Sequence, residues 1–212
     1  MYFITGECTG DKMVKVCQEN GWGRMFIEKT PRPYPGEMWG FDNGVFRDYT
    51  AGHDFNQERY LKRLKKAHDI GIPYLAVLPD IIAGGKDSLE FSLKWLDKLP
   101  RDWPWYLALQ DGMTLEEVET HIHRFSGLFL GGTNTFKGTA WYWKELAHKH
   151  NKLFHYGRAG TAKKIIHAQL VKADSADSAF PLWTVERLRR TVIMLQTEQQ
   201  SLFEPQEIAI KP

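Results

Sequence analysis

Short apolar runs recur along the chain, and most of them end in an acid, a carboxamide or a glycine. Residues 74–78 (YLAVL) and 105–109 (WYLAL) are apolar throughout, which is typical of strands buried on both faces of a parallel sheet. The pattern predicts eight strands, at residues 1–5, 24–28, 38–41, 74–78, 105–109, 128–130, 153–156 and 173–181.

Segments with helical spacing lie between these runs. The predicted helices cover residues 11–20, 56–69, 88–99, 114–125, 140–150, 161–171 and 184–198. Thr114 is placed to cap its helix, with Glu117 at the capping-box position. Regular alternation of strand and helix requires a parallel sheet with right-handed crossovers, and eight units close most economically as a (β/α)8 barrel of the TIM type. A doubly wound open sheet is the alternative.

Length and composition fit one such domain, at residues 1–201, followed by a C-terminal tail at 202–212. The chain has 212 residues, 42% of them hydrophobic and 25% charged, with a formal net charge of +2. Its two cysteines, Cys8 and Cys17, form no CxxC pair and no zinc-type cluster, so we expect no metal site. No signal peptide and no membrane-spanning run are evident, and a cytoplasmic location is therefore expected.

Polar residues collect where the predicted strands end. In a barrel these positions share one rim, where parallel barrels carry their chemistry. Taken singly, each has an ordinary explanation as a turn or a helix cap. Most of the eight strands nevertheless end this way, which favours a functional rim. The rim positions are Asp42, Asn43, Asp80, Gln110, Asp111, Gly131, Gly132, residues 156–160 and Asp177.

The rim has a definite chemical character. It carries carboxylates, a carboxamide and glycines that expose backbone N–H groups, while HExxH, GxxxxGK[ST], GxGxxG and Ser/His/Asp patterns are not found. Carboxylates suit work at a sugar C1′, and an Asp with a Gln suits the edge of a purine.

Asp174 and Asp177 are three residues apart in an extended segment and point to opposite faces, so only one of them can face the pocket. We expect that one to be Asp177. A loop with an N-cap aspartate remains the alternative for this segment.

Short motifs between residues 41 and 181 resemble those of the tRNA-guanine transglycosylase superfamily. Phe41-Asp42-Asn43-Gly44 looks like its Asp-Ser-Gly-Gly segment, Leu109-Gln110-Asp111-Gly112 like its Val-Gln-Gly-Gly, and residues 174–181 like its Asp-x-Phe-Asp-Cys-x-x-Pro. Leu78-Pro79-Asp80 and Leu130-Gly131-Gly132 are similar to its base-recognition segments.

The resemblance implies a role for each matching residue. It makes Asp177 the covalent nucleophile, with Asp174 as a structural neighbour, and Asp42 the general acid/base. Tyr156 would be a stacking lid. Arg158 is a candidate phosphate contact because of its charge and its place on the rim. The remaining predicted base-binding residues are Asn43, Asp80, Gln110, Gly131 and Gly132.

The chain departs from the family's tRNA enzymes in being far shorter and in lacking their cysteine zinc site. It looks more like the compact phage and bacterial relatives that modify DNA. The resemblance therefore implies exchange of guanine in a nucleic acid, most readily DNA, for a 7-deazaguanine such as 7-cyano-7-deazaguanine. It implies no cofactor, DNA or tRNA and a free base as partners, and a bacterial or phage-infected cytoplasm. An accessory protein or a homodimer is also compatible with it.

Alternatives to this function remain open from the residues alone. They are a tRNA-guanine transglycosylase, a nucleoside or N-glycoside hydrolase at the same site, and a non-enzymatic protein that only binds nucleic acid.

Overall fold

Eight parallel strands close into one barrel in chain order, from β1 to β8 and back to β1. The computed structural model describes residues 1–201, so the predicted tail at 202–212 lies outside the described residues. The predicted (β/α)8 barrel is confirmed. The strands are β1 (Tyr2–Thr5), β2 (Gly23–Phe26), β3 (Gly40–Phe41), β4 (Leu75–Val77), β5 (Trp105–Leu109), β6 (Gly127–Leu130), β7 (Leu153–Tyr156) and β8 (Ser175–Ser178).

The barrel interior is filled by side chains from alternate strand positions. Tyr106 and Phe129 are the large aromatic residues there, packed with Ile4, Met25, Leu75, Val77 and Ala108. Glycines make room for both rings: a Cβ at Gly127 would lie 2.3 Å from Tyr106, and one at Gly157 would lie 2.3 Å from Phe129. The interior is therefore a packed core, and ligands have access only at the strand ends.

Helices surround the barrel and bury the outward-facing side chains of the strands in a second, larger core. All seven predicted helices are present, and Thr114 and Glu117 form the predicted capping box. The helices are α1 (Asp11–Glu19), α2 (Val45–Thr50), α3 (Gln57–His68), α4 (Gly85–Leu96), α5 (Leu115–His121), α6 (Asn134–Lys137), α7 (Ala140–Lys149), α8 (Ala162–Leu170), α9 (Phe180–Trp183) and α10 (Val185–Ser201).

Three short helices, α2, α6 and α9, were not predicted. Each follows directly on a strand end and has six residues or fewer, too few to display a helical repeat. α4 begins at Gly85, three residues before the predicted start of this helix at residue 88. Among the described residues, no helix has the length and apolarity needed to cross a bilayer.

Candidate active site

Asp80 is the most confined carboxyl group on the rim. It follows β4, is 4% exposed, and receives one hydrogen bond from Asn43 Nδ2 at 2.8 Å and another from Gln110 Nε2. Burial raises the pKa of Asp80 to about 7, although both carboxamides stabilise the charged form. A carboxyl group with a pKa near neutrality can both give and accept a proton.

The two carboxamides are themselves fixed by the backbone. Asn43 Nδ2 also donates to Leu78 O at 2.6 Å, and its Oδ1 accepts from Val45 N at 2.9 Å. Gln110 Oε1 accepts from Ala83 N at 3.2 Å. The Asn43–Asp80–Gln110 triad, as we call these three side chains, joins the ends of β3, β4 and β5 in one preorganised network, as the shared rim predicted.

Asp42 lies on the same narrow pocket as the triad. Its Oδ1 accepts from Gly44 N at 2.6 Å, and Arg63 donates to its backbone carbonyl. Burial raises the pKa of Asp42, and the nearby Asp177 carboxylate acts in the same direction. Asp42 is thus a second carboxyl group with a raised pKa beside Asp80.

Asp177 is held at the end of β8 by two donors on its Oδ1. His155 Nε2 lies 3.0 Å away and Arg158 N lies 2.9 Å away. His155 is fully buried, with Nδ1 2.8 Å from Ser175 Oγ and its ring stacked on Phe129 at 4.8 Å. Asp177 therefore points into the barrel end. Asp174 precedes β8 and instead accepts from Phe154 N at 2.7 Å, so the two acids separate as predicted.

Arg158 lies at the entrance to the narrow pocket and also lines a wider adjoining cleft of about 510 Å³. Its backbone has φ 52°, a left-handed conformation that the hydrogen bond to Asp177 stabilises. The guanidinium carbon lies 3.8 Å from the centre of the Phe46 ring. This position suits an anionic group of a ligand.

Lys137 forms part of the wall of the wider cleft and is 3% exposed. Its Nζ donates to Leu130 O at 2.7 Å and to Gly157 O at 2.6 Å, so it joins the ends of β6 and β7. Burial, reinforced by the charge of Arg158, lowers the pKa of Lys137 to about 7.

Tyr156 is not positioned as the predicted lid. It is 1% exposed, its hydroxyl lies 3.2 Å from His167 Nδ1, and it belongs to the outer core between the strands and the helices. The reason is strand alternation: His155 points into the barrel, so its neighbour Tyr156 must point outward.

The two glycines after β6 are positioned differently from each other. Gly131 lines the narrow pocket, but its N–H donates to Leu109 O at 3.1 Å and is therefore already used. Gly132 lines the wider cleft with φ +68°, and a Cβ there would lie 2.6 Å from both Asp111 and Phe136. The expected backbone contact from Gly131 to a ligand is not available in this geometry.

Three site residues have no role predicted from the sequence: Phe46, Lys137 and His155. The signal for His155 was its place on the inward-facing side of β7, two positions before Gly157. Among residues 1–201, no three His, Cys, Asp or Glu side chains are grouped as they would be around a metal ion.

Comparison with known proteins gives a structural match. No family model matches the chain, and no curated protein matches it. Among solved structures, an HpcH/HpaI aldolase from Desulfitobacterium hafniense DCB-2 is similar, with a TM-score of 0.53 and 10% sequence identity. The match covers 100% of this chain and 95% of the aldolase.

The comparison corrects the predicted function. This protein, which matches the chain along its length, is an aldolase, a lyase, and not a glycosyltransferase. The predicted exchange of guanine for a 7-deazaguanine is therefore wrong, and so is the assignment to the glycosyltransferases. At 10% identity the likeness extends to architecture alone. The chain is a single-domain (β/α)8 barrel of the TIM type, the architecture it shares with this aldolase.

Proposed function

We propose that this chain is an enzyme of the lyase type, in which Asp80 moves a proton on a small carbonyl compound bound at the rim. The observation that carries the proposal is the Asn43–Asp80–Gln110 triad, which holds a buried carboxyl group with a pKa of about 7. Strained or desolvated acids of this kind concentrate at catalytic sites.

Two further features support this chemistry. Making or breaking a carbon–carbon bond next to a carbonyl group requires removal or return of a proton, which an acid titrating near neutrality can perform. Arg158, at the mouth of the narrow pocket, suits a carboxylate on the same molecule. A 2-oxo acid combines both groups. The aldolase with the same barrel is consistent with this class.

The test is exchange of carbon-bound hydrogen for deuterium. Pyruvate and other 2-oxo acids are incubated with the protein in D₂O, and loss of the C3 proton signal is followed by NMR. We expect exchange that D80N lowers by about 10²-fold or more, the usual contribution of general acid–base catalysis.

D97N is the matched control, because Asp97 is an exposed acid paired with Arg124 at the end of α4. Equal exchange in D80N and D97N, or no exchange with any 2-oxo acid, would contradict the proposal. Incorporation of labelled guanine into DNA or tRNA would contradict it as well.

A free purine-type base is a second candidate ligand for the narrow pocket. It is supported by the motif resemblance and by the mixed donor and acceptor groups of Asp80 and Gln110, which match the edge of a guanine. The test is binding of guanine and 7-deazaguanine by isothermal titration calorimetry. Binding lost in D80N and kept in D97N would support this ligand class, and heats equal to those of buffer would exclude it.

A phosphate-bearing partner, DNA or tRNA, is proposed for a groove between α2 and α3. The basic groove, as we call it, has a volume of about 510 Å³ and is lined by Arg47, Arg59, Lys62, Arg63 and Lys66. Glu28 pairs with Arg47, and Asp48 pairs with both Arg47 and Arg59. Arg63 is 8% exposed, and its Nε is buried without a hydrogen-bond partner in the described part of the chain. Such a surplus of buried and exposed cations suits phosphate oxygens.

A further inference from the structure

The two cysteines of the chain lie together at the end of β1. Cys8 is in the loop after β1 and is partly exposed, whereas Cys17 is in α1 and is fully buried. Both are free thiols, and both sulfur atoms lie 3.8 Å from Thr5 Oγ1. Because both sulfur atoms contact the same hydroxyl group, the two thiols are neighbours. A partly exposed cysteine next to a fully buried one has the arrangement of an attacking and a resolving cysteine.

The surroundings make the two thiols chemically unequal. The hydrogen bond from Cys17 lowers the pKa of Cys8 to about 7, and the Thr5 hydroxyl and the Arg24 guanidinium act in the same direction against burial and Glu37. The same hydrogen bond and burial raise the pKa of Cys17. Arg24 is close enough for its Nη1 to donate to Cys8 O at 3.0 Å. The sulfur of the partly exposed Cys8 is therefore the one that forms a thiolate near neutral pH.

We propose that Cys8 and Cys17 are a reactive dithiol that a small disulfide such as oxidised glutathione converts to an intramolecular disulfide. The Cys8 thiolate attacks one sulfur of oxidised glutathione, which breaks that disulfide, releases one glutathione thiolate and leaves a mixed disulfide on Cys8. Cys17 then loses its proton to solvent and attacks Cys8 Sγ, which releases the second glutathione thiolate. The protein loses two electrons and two protons, and one glutathione disulfide becomes two thiols.

The position of the pair connects it to the rim. β1 pairs with β8, where Ile4 lies opposite Asp177, and Gly6 N donates to Ser178 O at 3.0 Å. Oxidation would tie the loop after β1 to α1 immediately beside the strand that carries Asp177. The inference does not depend on the proposed reaction, because it concerns only the thiols and the oxidant.

The experiment is a titration of the whole protein with mixtures of reduced and oxidised glutathione, followed by acid quenching, alkylation and intact-mass measurement. In wild type we expect a species two hydrogens lighter that has lost both alkylation sites, restored by excess reduced glutathione. In C17S the mixed disulfide has no resolving thiol, so one glutathione adduct should persist on Cys8. In C8S we expect no adduct, because Cys17 is buried.

Two outcomes would overturn the proposal. One is a glutathione adduct that accumulates on wild-type Cys8 without conversion to the internal disulfide. The other is complete alkylation of wild type under every oxidising mixture. Both are read on the wild-type protein, so they stand even where a serine variant folds poorly.

Discussion

At the scale of single residues, the raised pKa of Asp80 links the rim to the stability of the fold. Its pKa is raised to about 7 by burial, so the folded protein holds a proton that the unfolded chain, with an ordinary carboxyl pKa, has released. The contribution of Asp80 to the free energy of unfolding is then fully present below about pH 4. It falls as pH rises and levels off above about pH 7. Each unit by which the pKa is raised corresponds to about 1.4 kcal/mol.

D80N should remove this component, because an amide does not titrate. We expect the urea midpoint of wild type to fall more steeply than that of D80N between about pH 4.5 and 7, and the two slopes to agree above pH 7.5. D97N, changed at an exposed acid, should keep the wild-type slope. Parallel curves for wild type and D80N would show that Asp80 titrates normally.

Several rim residues could be predicted from the sequence because strand ends in a barrel converge by necessity. Asn43, Asp80 and Gln110 meet for this reason, although they are up to 67 residues apart in the numbering of the chain. The outward direction of Tyr156 depended on which residue of β7 faced inward, and the four residues of this strand, Leu-Phe-His-Tyr, show no clear alternation of apolar and polar positions. The partners of Lys137 are two backbone carbonyls, which no side-chain pattern reveals.

At the scale of elements, Gly157 at the end of β7 leaves room for the Phe129 ring of the neighbouring β6. G157A should place a Cβ 2.3 Å from Phe129 and 3.0 Å from Leu130 O, so the ring that stacks on His155 must move. Overpacking of this kind costs about 1–3 kcal/mol. The matched control is G160A, whose Cβ would meet nothing nearer than 4.0 Å. Urea unfolding should separate the two variants, and equal midpoints would mean that the interior at β7 has room to spare.

A buried ion pair fixes β2 to the loop that follows it. Arg24 donates to both carboxylate oxygens of Glu37, at 2.8 and 2.7 Å, and their side chains are 2% and 0% exposed. E37Q leaves the guanidinium buried without a counter-charge, which typically costs about 3–5 kcal/mol. E90Q, at an exposed position of α4, should change the free energy of unfolding by less than about 0.5 kcal/mol. A loss below 1 kcal/mol in E37Q would mean that water or Arg32 O compensates the charge.

At the scale of the whole molecule, the alternation of apolar runs and helical segments was enough to predict the closed barrel. Every element of a barrel repeats the same unit, so errors at single boundaries leave the topology intact. The function cannot be predicted from the repeated unit in the same way. The same rim of acids, carboxamides and glycines supports many reactions on this fold, and motifs that predict where residues converge do not determine which bond they act on.

The distribution of charge over the barrel supplies the last prediction. The net charge is only +2, yet five cations surround the basic groove. If a phosphate-bearing polymer lies there, affinity for an oligonucleotide should fall with salt, and each phosphate contact removed should reduce the logarithmic slope by about 1. We expect K62Q/K66Q to flatten the slope measured by fluorescence anisotropy. Lys149 and Lys152 precede β7 at the opposite end of the barrel, so K149Q/K152Q removes the same charge without touching the groove. Equal slopes in the two double variants would assign the attraction to net charge and remove the groove from the binding surface.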